Sequence, residues 1–187
     1  LGSSEDDWWT RDLTDTYKWL GGEKIFWVIE SDTDRSIMAV LSADKTSACL
    51  NCSDESVSTI SKIIRSNLGG QAIERLGIEG FALLLAEWRS DPRCYVATPR
   101  FFEVKRDEVS DWLLGTEHDP QALRDVCVEP AFNRAMNGTW TLAYNVINRF
   151  GGVDRWSVNG TSDDFVIQAI DINAVKEKGT FYYPDEM

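Results

Sequence analysis

Asn137-Gly-Thr-Trp-Thr-Leu-Ala-Tyr-Asn-Val-Ile-Asn-Arg-Phe150, then Gly151-Gly152, then Val153-Asp-Arg-Trp-Ser-Val158, then Asn159-Gly160, and after a short polar link Phe165-Val-Ile-Gln-Ala-Ile-Asp-Ile172, is the stretch that decides the fold. β-branched and aromatic residues fill each run, and glycine-containing pairs separate the runs, which predicts an antiparallel meander. Side chains alternate along a strand, so Trp140, Leu142, Tyr144, Val146 and Phe150 share one face, interrupted by Asn148. Thr139, Thr141, Ala143, Asn145, Ile147 and Arg149 share the other. A two-residue turn at Gly151-Gly152 would put Trp156 and Val158 on the polar face. A three-residue loop, Phe150-Gly151-Gly152, with a glycine bulge sets Val146 opposite Trp156 and Tyr144 opposite Val158, and is the predicted hairpin. Phe165–Ile172 is apolar on both faces and is expected mid-sheet and covered. Both Asn-Gly pairs read as turns.

Upstream, Trp9, Leu13, Tyr17 and Leu20 recur at helical spacing, which predicts a helix over Ser4–Leu20 stopped by Gly21-Gly22. Lys24–Glu30, Ile37–Leu41 and Ala48–Asn51 read as short strands, with a turn at Ser31–Asp34. A helix capped by Asp54 or Ser56 runs to Leu68, with Val57, Ile60, Ile63, Ile64 and Leu68 as its buried stripe. Short helices over Gln71–Leu76 and Glu79–Trp88 follow, the second burying Phe81, Leu84, Leu85 and Trp88. Arg93–Ala97 and Phe101–Val104 read as extended. Asp107–Leu114 and Pro120–Val126 read as helices, the second capped by Asp119 ahead of its first-turn proline. Ala174–Lys178 reads as a link or one helical turn, and Thr180–Tyr183 as an edge strand. The expected fold is α+β: a curved antiparallel sheet, made of the C-terminal meander and an N-terminal hairpin, with helices packed on one face. The element order is similar to that of cone-shaped, pocket-forming α+β folds, a similarity of order alone from which no residue role follows.

The chain has 187 residues, 43% of them hydrophobic and 27% charged, which suits a single domain over 1–187 once Leu1-Gly-Ser-Ser4 is set aside as a processed end or expression scar. No apolar run reaches membrane-span length. The net charge of −12 repels a phosphate backbone, so nucleic acid is not an expected partner. It favours a cationic ligand or a basic protein partner, and homo-oligomerisation is left open. The four cysteines, Cys49, Cys52, Cys94 and Cys127, are few for this length and suggest a reducing, cytoplasmic setting.

Candidate chemistry is sparse. Cys49-Leu-Asn-Cys52 is a CxxC ahead of a helix, where a thiol pair can be redox-active. Hairpin strands precede it rather than a βαβ unit. A zinc site would need a second CxxC or a CxxH, which is missing. The four thiols are therefore expected free, as small buried hydrophobes, with no metal and no cofactor. His118 is the only histidine and lies in a loop reading, so no catalytic set is assigned. Asn145 and Asp171 interrupt apolar strands and need hydrogen-bond partners. Arg89, Arg93, Arg100, Lys105 and Arg106 form a locally basic stretch, expected to pair inside the molecule with the acidic N-terminal helix. Aromatic residues beside acidic ones suit a small amphipathic or cationic ligand. Trp140, Tyr144 and Trp156, with Asn148 and Asp154 near one end of their face, are the expected ligand-binding residues. The alternatives are an acidic interaction module for a basic partner, acting as inhibitor or adaptor, and a carboxylate-based hydrolase or isomerase.

Overall fold

The computed structural model describes residues 8–30, 35–103, 120–148, 150–162 and 165–177. The expected turn at Ser31–Asp34, the helix at Asp107–Leu114, the strand at Thr180–Tyr183, and His118, Lys105, Arg106 and Arg149 lie outside them. The fold is α+β, with two antiparallel sheets. The first sheet runs in sequence order: β1 (Trp8–Asp12), β2 (Lys24–Glu30), β3 (Arg35–Leu41) and β4 (Ser47–Cys49). Helices α1 (Ser56–Leu68) and α2 (Ala72–Arg89) follow. The second sheet is β5 (Tyr95–Val96), β7 (Thr139–Ile147), β8 (Val153–Thr161) and β9 (Val166–Lys176) side by side, with β6 (Ala131–Arg134) also on β7. Helix α3 (Pro120–Val126) precedes β6.

The N-terminal helix expectation fails. Residues from Trp8 to Asp12 pair with β2, from Trp8 opposite Glu30 to Asp12 opposite Phe26. A 3-10 turn at Thr14–Thr16 follows. The spacing of Trp9, Leu13, Tyr17 and Leu20 mimics a helix, but β2 offers an unpaired edge, and tertiary pairing outweighs a weak local preference. Asp12 then ends the strand, its carboxylate accepting the Thr14 N–H at 2.8 Å.

Helix α1 buries the predicted stripe of Val57, Ile60, Ile63, Ile64 and Leu68. Helix α2 is broken at Gly77, whose φ of 75° and ψ of 162° only glycine adopts without strain. The break falls between the two short helices read from the sequence. Phe81, Leu84, Leu85 and Trp88 are buried as expected. Residues 99–103 are helical rather than extended. Thr98 starts that turn, its hydroxyl accepting the Phe101 N–H at 3.0 Å.

The meander forms with its register moved and its faces as predicted, except that Phe150 lies in the loop and is 46% exposed. Val153 pairs with Ile147, so Tyr144 faces Trp156 and Leu142 faces Val158. The turn closes through the Asn148 N–H on Gly152 O at 2.9 Å. Three residues lie between these two, and Gly151 has the positive φ of 70° that a glycine bulge requires. The loop length and bulge match the reading, but the loop sits one residue earlier because the Asn148 side chain organises it. Its Oδ1 accepts from the N–H groups of Phe150 and Gly152 at 3.0 and 3.1 Å.

Asn159-Gly160 lies inside β8 rather than in a turn. Gly160 pairs with Trp140, and a β-carbon there would overlap the indole ring. The glycine therefore makes room for an aromatic ring. Asn137-Gly138 is a turn as read, joining β7 to β6, a strand missed in the sequence because most of its short run is exposed. Strand β9 runs on through Lys176 where a link was expected, and among the described residues it is the edge of the sheet rather than a covered centre. All its residues from Asp171 to Lys176 are exposed.

One large core joins both sheets to α1 and α2. A smaller one, of Ala97, Leu123, Val126, Cys127, Ile147 and Val153, covers the opposite face of the second sheet at the hairpin end. Asn145 is satisfied there: its Nδ2 donates to Val126 O at 2.8 Å, and Arg155 donates to its Oδ1 at 3.2 Å.

Candidate functional site

The five residues expected to line a pocket separate into two groups. Trp140, Tyr144 and Trp156 are each at most 1% exposed. Trp140 stacks on Phe165 and meets Phe81 edge-on, at centroid distances of 5.8 and 6.0 Å. Tyr144 stacks on Trp156 at 5.8 Å. Residues of α1, α2 and the start of β9 fill the space over these rings. The indole N–H groups of Trp140 and Trp156 and the Tyr144 hydroxyl are buried with no hydrogen-bond partner among the described residues. Burial of the rings outweighs that cost. Burial also pushes the Tyr144 hydroxyl well above its ordinary range, so it stays neutral. Asn148 and Asp154 do come together, Asn148 Nδ2 donating to Asp154 Oδ2 at 2.8 Å. They bond each other at the hairpin end and are partly exposed.

Among the described residues, open concavity lies along the outer side of α2. One hollow of about 440 Å³ is lined by Glu79, Gly80, Leu83, Tyr95, Val96, Thr98, Arg100 and Phe101. Its neighbour, about 500 Å³, reaches from Glu79, Gly80 and Arg100 to Leu76, Gly77, Ile78, Glu129 and Pro130. The three shared residues make them one groove. Its position follows from the chain. Gly77 turns α2 and Gly80 has no side chain, and a β-carbon at Gly80 would meet only Leu76 Cβ, at 3.8 Å. Ile78 and Leu83 fall off the buried stripe and are 37% and 36% exposed. Tyr95 and Phe101 pack together at 5.2 Å, forming an aromatic wall. The sequence signal was present as two glycines and two off-stripe aliphatics in one helix. The apposed wall from β5 and the turn after it was not.

Two residues of the basic stretch, Arg89 and Arg93, pair inside the molecule, and the partners described for them lie outside the N-terminal segment. Arg89 bonds Asp54 at 2.8 Å. Arg93 bonds Asp91 at 2.9 Å and lies 5.1 Å above the Trp27 ring centroid. Burial alone would push the Asp91 carboxyl up, but hydrogen bonds from the Arg93 side chain and backbone outweigh it and hold it below the usual carboxylate range. Glu87 accepts the Tyr17 hydroxyl at 2.7 Å, and burial pushes its carboxyl up.

The expectation of four free thiols is overturned. Cys49 and Cys52 form a disulfide, with Cα atoms 5.7 Å apart. The β4 to α1 corner brings them within bonding range, which the sequence pattern by itself does not reveal. Cys94 and Cys127 are free and buried, and burial raises both thiols, Cys127 to about 12. Among the described residues no cluster of three potential metal ligands occurs. No described helix is long and apolar enough to cross a membrane. Comparison with protein-family models, curated proteins and solved structures finds no match to this chain.

Proposed function

We propose that this chain is a binding protein for a small amphipathic molecule with a cationic head, held in the groove along α2. The observation that carries the reading is the continuity of two hollows of different character through Glu79, Gly80 and Arg100. At one end Leu83, Tyr95 and Phe101 offer an apolar, aromatic surface for the ligand body. At the other, Glu79 and Glu129 against Arg100 leave the polar half with a net negative charge, in a chain of net charge −12. The role first assigned to Trp140, Tyr144 and Trp156 passes to Tyr95 and Phe101.

The test is thermal-shift screening of matched cationic, anionic and neutral amphiphiles on the wild type and on Gly80→Leu. Ligand raises the melting temperature only by binding the native state. The added side chain fills the shared middle of the groove, so the cationic set should stabilise the wild type and lose its effect on the variant. Equal stabilisation of both proteins places binding elsewhere, and a response to anionic compounds alone overturns the charge assignment.

A second reading, interaction with a basic protein, rests on the β9 edge, where Ile172 and Val175 are 44% and 47% exposed. The double variant Ile172→Asp, Val175→Asp separates the readings: it should leave amphiphile binding intact and abolish only an association made through this edge.

A further inference from the structure

The Cys49–Cys52 pair plays no part in the groove, and its surroundings have the properties of a reversible redox site. The bridge closes a loop of four residues and joins no distant elements, so it restricts the unfolded chain less than a bridge across a long loop would. Other contacts hold the loop. Leu50 is fully buried, and its N–H donates to Met38 O at 2.7 Å. Asn51 Oδ1 accepts the Met38 N–H at 3.0 Å, and its Nδ2 donates to Ser90 O at 2.8 Å, tying β3 to the end of α2. Cys52 is exposed, whereas Cys49 is partly buried. Asn51 Oδ1 also lies 3.4 Å from Cys49 Sγ, an acceptor already placed for the thiol that reduction would create.

From these features we infer that Cys49–Cys52 is an exchange-active disulfide, a second site that takes two electrons from a dithiol, with Cys52 as the sulfur attacked. One thiolate of the dithiol bonds to Cys52 Sγ. The Cys49–Cys52 bond breaks, and its electron pair leaves on Cys49, which takes a proton from water. The second thiolate of the reductant then attacks its own sulfur in the mixed disulfide, releasing Cys52 as a thiolate that is protonated in turn. The protein gains two thiols, and the dithiol leaves as a cyclic disulfide. Cys94 and Cys127 are buried and stay out of the exchange.

The full-length oxidised protein is treated with dithiothreitol without denaturant, quenched with iodoacetamide and mapped by peptide mass. The expected result is alkylation of Cys49 and Cys52 but not of Cys94 or Cys127, an unchanged near-ultraviolet circular dichroism spectrum, and return of the disulfide with oxidised glutathione. Labelling that needs denaturant, loss of the spectrum on reduction, or failure to reoxidise overturns the proposal and makes the bridge a structural staple. The single variants test which sulfur is attacked. In oxidised glutathione, Cys49→Ser should form a mixed disulfide at Cys52 about ten-fold faster than Cys52→Ser does at Cys49, since exchange follows access. Equal or reversed rates overturn that assignment, and unfolding of either variant again makes the bridge a staple.

Discussion

The two sheets are built alike and attached differently. The second sheet meets α1 and α2 through stacked rings and aliphatic side chains, with Trp140, Tyr144, Trp156 and Phe165 at its centre. Among the described residues the buried polar contact there is Ser61, whose hydroxyl accepts the Ile167 N–H at 2.9 Å and donates to Phe165 O at 3.4 Å, while the exposed Arg134–Glu74 pair lies at the β6 end. The first sheet also buries Ile25, Trp27, Ile29, Met38 and Val40 in the same core. Its seam with the end of α2 is polar as well, through Tyr17 on Glu87, Asn51 on Ser90 and Arg93 over Trp27. Apolar packing is indifferent to pH and costly to hollow out. A polar seam depends on partners and on charge.

The largest expected effect comes from hollowing the apolar side. Trp156→Ala should cost about 4 kcal/mol in chemical denaturation, as removal of a buried indole does. A loss below about 1 kcal/mol would mean that this ring is not core and would revive a pocket beside it. Adding bulk tests the same packing from the other direction. Gly160→Ala places a methyl group against the Trp140 ring and should cost about 3 kcal/mol by overpacking. An unaffected midpoint would show that Trp140 can move aside.

At the polar seam the effects are smaller and depend on pH. Asp91→Asn weakens the bonds to Arg93 and should cost about 2 kcal/mol at neutral pH. The Asp91 carboxyl is lowered in the folded state, so its contribution is fully present above the ordinary carboxylate pKa and disappears as pH falls through the lowered value. The gap between wild type and variant should close on acidification. Glu87 has the opposite sign. Its carboxyl is raised in the folded state, so the protonated form favours folding and ionisation works against it as pH rises through that raised value. Glu87→Gln, neutral at every pH, should raise the urea midpoint at neutral pH and lose that advantage in acid. A gap that is flat with pH for both variants would mean that the seam's charges are solvated and that the two sheets do not differ in kind.

The part of the fold legible in the sequence is the part fixed by neighbours along the chain. The stripe of α1, the break in α2 at Gly77, the faces of the meander and the strands β2 and β3 follow from side-chain period and from glycine's backbone freedom. Even at the hairpin the parity of the faces was readable, because it needs only alternation. The register was not, because the Asn148 side chain sets where the loop closes. Tertiary structure decided what depends on distant partners. Trp8–Asp12 is a strand because β2 is there to receive it, although its flanking residues are spaced like a helix. Gly160 is a strand residue because Trp140 lies across it. Cys49 and Cys52 are near in the chain, but the corner between β4 and α1 that sets their separation is held from a distance, by Leu50 and Asn51 on Met38 and by Asn51 on Ser90. The aromatics that looked like pocket lining are core because α1 and α2 cover them, and the groove exists because Tyr95 and Phe101 come to face Gly80 and Leu83 across it. Period and propensity act over a few residues, whereas coverage, register and concavity are set by which surfaces the folded chain brings together.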